Sequence, residues 1–228
     1  MLGNLWRKLS ASFSIPRRRN VSRGSPPKGK PSRPDRIRPT VEALDDRSLP
    51  SGFSLTSTAF ENGQPIPPQY AKIVNGVETN VSPPLEWHNV PPGTVSFALI
   101  MRDESVFRHE GGFSHWVIFN IPARNRELAS GVPKRLHPFL TAHGLIPVEQ
   151  GINGNEERGY LGPNPTLPPA MHDYIFRLYA LDTRLTLQRP VTAHELRNAL
   201  GPHIVPGGRA TLVGTFELPP GTQGTPGS

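Results

Sequence analysis

The chain has 228 residues, a net charge of +7 and no cysteine, so it is long enough for one domain with a sizeable core and cannot form disulfides, a thiol nucleophile or a thiolate metal site. Residues 1–40 carry eleven Lys and Arg against the single acid Asp35, a net of +10, which leaves 7 − 10 = −3 for residues 41–228. The basic character therefore belongs to the N-terminal segment, and specific nucleic-acid binding by the remainder is disfavoured.

Residues 1–52 are predicted to form a basic, Pro/Arg-rich, disordered N-terminal tail, because their composition cannot bury enough apolar surface to fold. A contact of this tail with an anionic surface is the alternative. It lacks the apolar run of an export signal, and the chain has no run long enough for a membrane span. Residues 41–52 resemble a short motif near the N-termini of exported bacterial proteins. A cytoplasmic and an exported location therefore both stay open, and a transmembrane one is not expected.

From Phe53 onward the pattern indicates β structure. FSLTSTAF (53–60) alternates apolar and hydroxyl residues with period two, and YAKIV (70–74) ends at the turn signal Asn75-Gly76. Paired prolines in NVSPPLEW exclude a central strand there. VSFALIM (95–101) and FSHWVIFNIP (113–122) are apolar on both faces, which is typical of strands covered on both sides.

The second half adds two strands and a helix. Residues 123–170 lack clear periodicity and are predicted to be loops, DYIFRLYALD (173–182) is a core strand, and RATLVGTFEL (209–218) is the last strand. Thr192 and Glu195 have the spacing of a capping box, and Gly201-Pro202 ends the helix that follows. We therefore predict a mainly β protein, an antiparallel β-sandwich with a few short helices, one of them near the C-terminus. The domain spans residues 53–218, and 219–228 form a flexible C-terminal tail.

Three ionisable residues at strand ends are the candidates for chemistry. Asp103 ends the run VSFALIMRD, while His115 and His172 begin apolar strands that do not need an imidazole at their edge. Protonated imidazoles are charge-assisted hydrogen-bond donors, and such donors suit a small polar pocket. Asp103 would then orient a histidine by accepting its second N–H and favour its protonated form, and the backbone N–H groups of loop 159–163 would add donors. Trp87 and Trp116 are predicted core residues. Five other histidines are assigned to surface or loops: His109, His137, His143, His194 and His203.

Several blocks in this order resemble the phosphatidylethanolamine-binding protein family, in particular its bacterial branch, which is often described as Raf-kinase-inhibitor-like. The blocks are NVSPPLEW with PPGT, the strand ending in Asp103, SHWVIFNIP, QGINGNEERGYLGPNP, MHDYIFRLYALD and ATLVGTF. The resemblance runs from about Phe53 to Leu218. It implies a β-sandwich with a small pocket for phosphate-like or carboxylate-like groups, including phospholipid head groups. The implied ligand-binding residues are Asp103, His115, Gly162, Pro163, His172 and Tyr174.

Two positions depart from the family pattern. The family usually has Asp-Pro-Asp where this chain reads Asp103-Glu104-Ser105, so the second carboxylate is missing unless Glu104 replaces it. We expect this loss to make the pocket less repulsive to a dianion. The family also commonly has Arg at position 173, where this chain has Asp. Because neighbouring strand residues face opposite sides, Asp173 is predicted to point away from the pocket while His172 and Tyr174 share a face.

The residues favour a binding protein, with a possible regulatory role, over two alternatives. His115, His172 and Asp103 could instead be the ligands of a metal enzyme or the acid–base groups of a hydrolase, although Ser105 and Ser114 lack a nucleophile elbow. A protein-interaction regulator, similar to a kinase or protease inhibitor, is the second alternative. No cofactor and no catalytic residue are expected, and the protein partner is not identified by the sequence.

Overall fold

The computed structural model describes residues 52–74, 76–106, 112–138, 148–165 and 171–217. The predictions of a disordered N-terminal tail and a flexible C-terminal tail, and those for His109 and His143, fall on residues outside these ranges. All the described residues belong to one compact unit, Arg47–Ser228. Within them, no helix has the length and apolar character needed to cross a membrane.

A six-stranded sheet dominates the described chain. Its four long strands follow the apolar runs of the sequence, because a strand covered on both sides needs apolar residues on both faces. All of its neighbouring strands pair antiparallel except the edge strand of 64–65, which runs parallel to its partner. In sheet order the strands are β2 (Gln64–Pro65), β11 (Ile204–Glu217), β10 (Met171–Leu181), β6 (Ser96–Asp103), β7 (Phe113–Pro122) and β9 (Glu149–Gln150).

A smaller sheet covers the inner face of the large one. It consists of β1 (Ser54–Thr56), β5 (Leu85–His88) and β8 (Glu127–Leu128), and a separate hairpin joins β3 (Ile73–Val74) to β4 (Val77–Glu78). Trp87 from β5 lies edge-on to Phe97 of β6 at 5.2 Å between ring centroids, and both are fully buried. Trp116 on β7 is fully buried as well. The predicted β-sandwich is confirmed, and both tryptophans are core residues.

Part of the outer face of the large sheet is covered by α1 (Ala193–Leu200). The predicted capping box is present: the Thr192 hydroxyl accepts the N–H of Glu195, and the Glu195 carboxylate accepts the N–H of Thr192 at 2.7 Å. Leu196 and Leu200 are buried against the sheet residues Ala98, Ile100, Val117 and Phe119. The helix therefore makes a second apolar layer, and two short 3₁₀ turns, Pro68–Tyr70 and Gly201–His203, are the other helical segments of the described ranges.

Several strand boundaries differ from the sequence prediction. The first strand covers 54–56 instead of 53–60, because the Ser57 hydroxyl bonds to the carbonyl of Pro84 and to the N–H of Ala59 and turns the chain. The last strand begins at Ile204, five residues before the predicted start at Arg209. Pro206-Gly207-Gly208 interrupts the alternation of apolar residues from which a strand is predicted. Residues 70–74 divide between a 3₁₀ turn and β3. The predicted loops of 123–170 contain the two-residue strands β8 and β9, which sequence periodicity cannot reveal at that length.

Candidate functional site

Four predicted site residues meet at one end of the large sheet. β6 ends at Asp103 and β7 begins at Phe113, so antiparallel pairing brings Asp103 and His115 to the same edge. β10 enters the sheet from this edge, and its Tyr174 lies opposite Asp103 in register. Asp103, His115, His172 and Tyr174 are all buried. Their convergence follows from three neighbouring strands that start or stop at one level.

The Asp103 carboxylate and the His172 imidazole form a short buried bond. Nδ1 of His172 lies 2.6 Å from Oδ2 of Asp103, and the two side chains are 2 % and 4 % exposed. Because a carboxylate accepts and does not donate, the proton of this bond lies on Nδ1. Any contact of His172 with a ligand is therefore made through Nε2, as expected for an imidazole oriented by a carboxylate.

A tight turn after β6 holds the second oxygen of Asp103. The N–H of Ser105 donates to Oδ1 at 2.9 Å, and the Ser105 hydroxyl accepts the N–H of Asp173 at 2.9 Å. Ser105 thus links Asp103 to the start of β10. Glu104 does not replace the second carboxylate of the family pattern, because it pairs with Arg177 through both of its oxygens.

His115 is held by a backbone carbonyl instead of a carboxylate. Its Nδ1 lies 2.8 Å from the carbonyl oxygen of Leu161, so this nitrogen carries the proton. Burial lowers the pKa of His115 to about 4, since the Leu161 carbonyl and the charge of Asp103 offset only part of the desolvation. His115 is therefore neutral at physiological pH. The expectation that both imidazoles are readily protonated is wrong for this one, because burial outweighs its partners.

Tyr174 lies between the two imidazoles. Its ring makes an edge contact with His115 at 5.0 Å between centroids and is nearly parallel to that of His172 at 6.4 Å. Burial, followed by the charge of Asp103, raises the pKa of Tyr174, while a backbone hydrogen bond with Asn164 acts in the opposite direction. Its hydroxyl therefore keeps its proton. Asp173 is exposed while His172 and Tyr174 are buried, so the predicted alternation of faces is confirmed.

The Gly-Pro loop has a different role from the predicted one. The N–H groups of Gly159, Leu161 and Gly162 already donate to Gly151 O, His115 O and Asn80 Oδ1, and Pro163 has no N–H. The expectation that these amides serve as anion donors is therefore wrong for those positions. The loop instead presents the Leu161 carbonyl to His115. Gly162 and Pro163 as ligand-lining positions stay a prediction.

The comparison with known proteins covers nearly all of the described residues. The family model described as Phosphatidylethanolamine-binding protein matches residues 56–217. The chain belongs to the phosphatidylethanolamine-binding protein (PEBP) family. A UPF0098 protein of Chlamydia muridarum is 37 % identical over 168 residues, covering 72 % of this chain and 99 % of the relative. A UPF0098 protein of Methanothermobacter thermautotrophicus is 36 % identical over 167 residues, with the same two coverages of 72 % and 99 %.

Two solved structures share this PEBP fold. The PEBP homologue CT736 of Chlamydia trachomatis has a TM-score of 0.60 and 34 % identity, and the alignment covers 74 % of this chain and 99 % of that one. YbcL of Escherichia coli, described as a member of the mammalian PEBP family, has a TM-score of 0.64 and 25 % identity with the same coverages. The predicted family and fold are thus confirmed.

Some residues that hold this cluster in place were not predicted from the sequence. Asn80 is buried, with a positive φ of 51°, and its Oδ1 holds the N–H of Gly162 at 2.7 Å. Gly112 has a φ of 83°, and a Cβ there would lie 2.1 Å from the carbonyl oxygen of Asp103. Only glycine fits this approach of β7 to the end of β6. The Gly111-Gly112 pair before a strand was the available signal for it, whereas Asn80 offered none.

The remaining histidines lie away from the site where they are described. His194 is exposed on α1, His203 pairs with Asp182 at 3.1 Å, and His137 lies beside the carbonyl of Val148. Across the described ranges of the chain, no three His, Cys, Asp or Glu residues are grouped so that they could hold a metal ion.

Gly162 should be intolerant of a side chain. A Cβ at this position would lie 2.4 Å from the backbone atoms Ala71 C and Lys72 N, which have little freedom to move. Gly162→Ala is expected to lower the free energy of unfolding in urea by about 2 kcal/mol or more. Gly201→Ala is the matched control, since a Cβ there meets nothing within 4 Å and the backbone is helical. Equal stability of the two variants would contradict this interpretation.

His115 should stay neutral well below the usual range for histidine. The pKa of His115 is about 4 in the folded chain and about 6.5 in the unfolded chain. Between these two pH values the unfolded chain therefore binds a proton at His115 and the folded chain does not. The stability contributed by neutral His115 is full above pH 6.5 and is lost as the pH falls towards 4. We expect a loss of about 2 kcal/mol between pH 7 and pH 4.5 that is absent in His115→Asn. NMR titration of the imidazole checks the midpoint directly, and a midpoint near 6.5 would refute it.

Proposed function

We propose that this PEBP-family protein binds a small anion, phosphate-like or carboxylate-like as in a phospholipid head group, at the cluster of Asp103, His115, His172 and Tyr174. The observation that carries the proposal is the 2.6 Å bond between Asp103 and His172 beside a second buried imidazole. A buried carboxylate favours the protonated form of the histidine it contacts. Protonated His172 would donate through Nε2, and the Tyr174 hydroxyl would supply a neutral donor.

The charges of the cluster favour a singly charged ligand. With His172 protonated, its charge balances that of Asp103, while His115 and Tyr174 are neutral. Protonating His115 at pH 7 would cost about 4 kcal/mol, which the ligand would have to supply. A carboxylate or a phosphodiester needs less compensation than a dianion. We therefore revise the expectation that two imidazolium groups accept a dianion, and propose a monoanionic group on a larger molecule.

The surroundings of the Asp–His pair support binding over hydrolysis. In a hydrolase such a pair activates a nucleophile, and two serines lie nearby. The Ser105 hydroxyl accepts the N–H of Asp173 and is part of the turn that holds Asp103. Ser114 lies opposite Arg102 in register on β6, next to Asp103, and therefore faces the other side of the sheet from Asp103. Neither serine stands where His172 would activate it.

A regulatory role would rest on the same site. A protein partner would detect the anion only if anion binding changed the protein surface near β10 and the turn after β6. The bond from Asp173 N–H to the Ser105 hydroxyl joins these two segments, and Asp173 itself is exposed. We propose that anion binding at the cluster changes the protein surface at this junction, where a protein partner would contact it.

The ionisation of His172, and not that of His115, should control anion affinity. Dimethyl phosphate keeps a single charge between pH 6 and pH 8, so any change in its affinity across this range reports on the protein. We expect isothermal titration to show binding about tenfold weaker at pH 8 than at pH 6, the effect of losing one charge-assisted hydrogen bond. His172→Asn, which keeps a donor for Asp103, should abolish this difference.

His115→Asn is the matched control for that experiment. It keeps a donor for the Leu161 carbonyl and removes an imidazole that is neutral throughout this pH range, so the pH dependence should survive. Sulfate in a parallel titration tests the preference for a single charge and should bind more weakly than dimethyl phosphate. A pH-independent affinity in the unmodified protein, or a pH dependence that disappears only with His115→Asn, would overturn the proposal.

Restoring the carboxylate of the family pattern should weaken binding. Ser105→Asp adds a negative charge next to Asp103, whose Oδ1 is already 2.9 Å from the Ser105 backbone nitrogen. The added repulsion is expected to lower the affinity for dimethyl phosphate about tenfold. Thr183→Asp places the same charge at the opposite end of the sheet, just beyond β10, and should leave affinity unchanged. Unchanged or tighter binding by Ser105→Asp would show that position 105 does not influence the ligand.

A further inference from the structure

The outer face of the large sheet carries a recess that the anion site does not use. It has a volume of about 310 Å³ and lies between the C-terminal end of α1 and the strands β10 and β11. Arg177 and Tyr179 on β10 line it, and they alternate with the inward-facing Tyr174, Phe176 and Leu178. The recess and the Asp103–His172 pair therefore lie on opposite faces of the same sheet.

Arginine side chains dominate the lining of this recess. Arg177 from β10, Arg197 from α1 and Arg209 from β11 approach it from three elements. Arg102 of β6 adds to the same field, since burial and then the charge of Arg197 lower the pKa of Arg102. The carboxylate of Glu104 is bonded to Arg177 through both of its oxygens. Within the described part of the chain, Arg197 and Arg209 form no ion pair within 4 Å.

This concentration of positive charge is not explained by the composition of the domain. Residues 41–228 have a net charge of −3, because the excess of basic residues lies in 1–40. Like charges held close together destabilise a fold unless an anion or a counter-charge compensates them. The three arginines that line the recess, one of them bonded to Glu104, therefore form the kind of cationic cluster that an anion-binding site requires.

The rest of the lining restricts the kind of anion. Leu200 at the end of α1 and Ile204 at the start of β11 supply apolar surface, and Tyr179 and Thr211 supply hydroxyls. Guanidinium groups match the oxygens of phosphate with paired hydrogen bonds. A volume near 310 Å³ lies at the lower end of the range for small-molecule sites. We propose that the recess binds a small organic phosphate, with its phosphate groups on Arg177, Arg197 and Arg209 and its apolar part on Leu200 and Ile204.

Titration of the full chain with adenosine diphosphate as the probe tests this proposal. Arg197→Gln and Arg209→Gln should each weaken binding about fivefold, as expected for partly exposed charge contacts. Arg135→Gln is the matched control, since it removes the same charge from an exposed loop position outside the recess. The basic segment 1–40 is present in every variant, so its contribution is common to all of them and cancels in the comparison.

Two further sets of titrations distinguish binding in the recess from binding at other sites. Pyrophosphate should bind more weakly than adenosine diphosphate, and adenosine alone should not bind measurably, because both parts of the ligand contribute. His172→Asn should leave the affinity for adenosine diphosphate unchanged even if it abolishes dimethyl phosphate binding, so failure of one proposal does not entail failure of the other. Equal losses in Arg197→Gln, Arg209→Gln and Arg135→Gln would overturn the proposal. Tighter, Arg197-dependent binding of a deoxythymidine decamer would also overturn it and indicate a nucleic-acid surface.

Discussion

The buried bond between Asp103 and His172 is the interaction on which the site depends. At 2.6 Å and nearly without solvent contact, it joins two strands of the main sheet and determines which imidazole nitrogen can meet a ligand. Removing either partner would break this buried bond, which costs more free energy than breaking a solvent-exposed pair. The turn at Ser105 and the close approach of Gly112 hold Asp103 in place for this bond. Much of the local backbone is thus organised around one carboxylate.

The two imidazoles illustrate how partner type determines chemistry. His172 meets a carboxylate, which favours the charged ring, whereas His115 meets a carbonyl and is buried, so its pKa falls to about 4. Two residues of one type, on strands that flank β6 on either side, therefore meet different electrostatic environments. The contrast limits the positive charge of the cluster and, with it, the charge of the anion that we propose it binds.

Strand alternation lets one sheet serve two chemical environments. Asp103 faces the buried cluster while its neighbour Glu104 pairs with Arg177 on the outer face, and the same alternation separates Tyr174 from Arg177 along β10. The inner face packs against the small sheet, and the outer face packs against α1. The arginine-lined recess exists because α1 covers only part of that outer face and leaves β10 and β11 partly exposed beside it.

Local patterns in the sequence determined the long apolar strands, the Thr192 capping box, the buried tryptophans and the family, since each depends on residues close together in the chain. They also singled out Asp103, His115 and His172, because ionisable residues at the ends of apolar strands stand out, whereas Tyr174 was named only through the family resemblance. Only the tertiary structure decided that Leu161 holds His115 and that Asn80 occupies the N–H of Gly162, which are contacts across 46 and 82 residues. It likewise brought Arg177, Arg197 and Arg209 together. Charge, burial and hydrogen-bond partners at these positions depend on which distant segments pack there, and no local pattern records that packing.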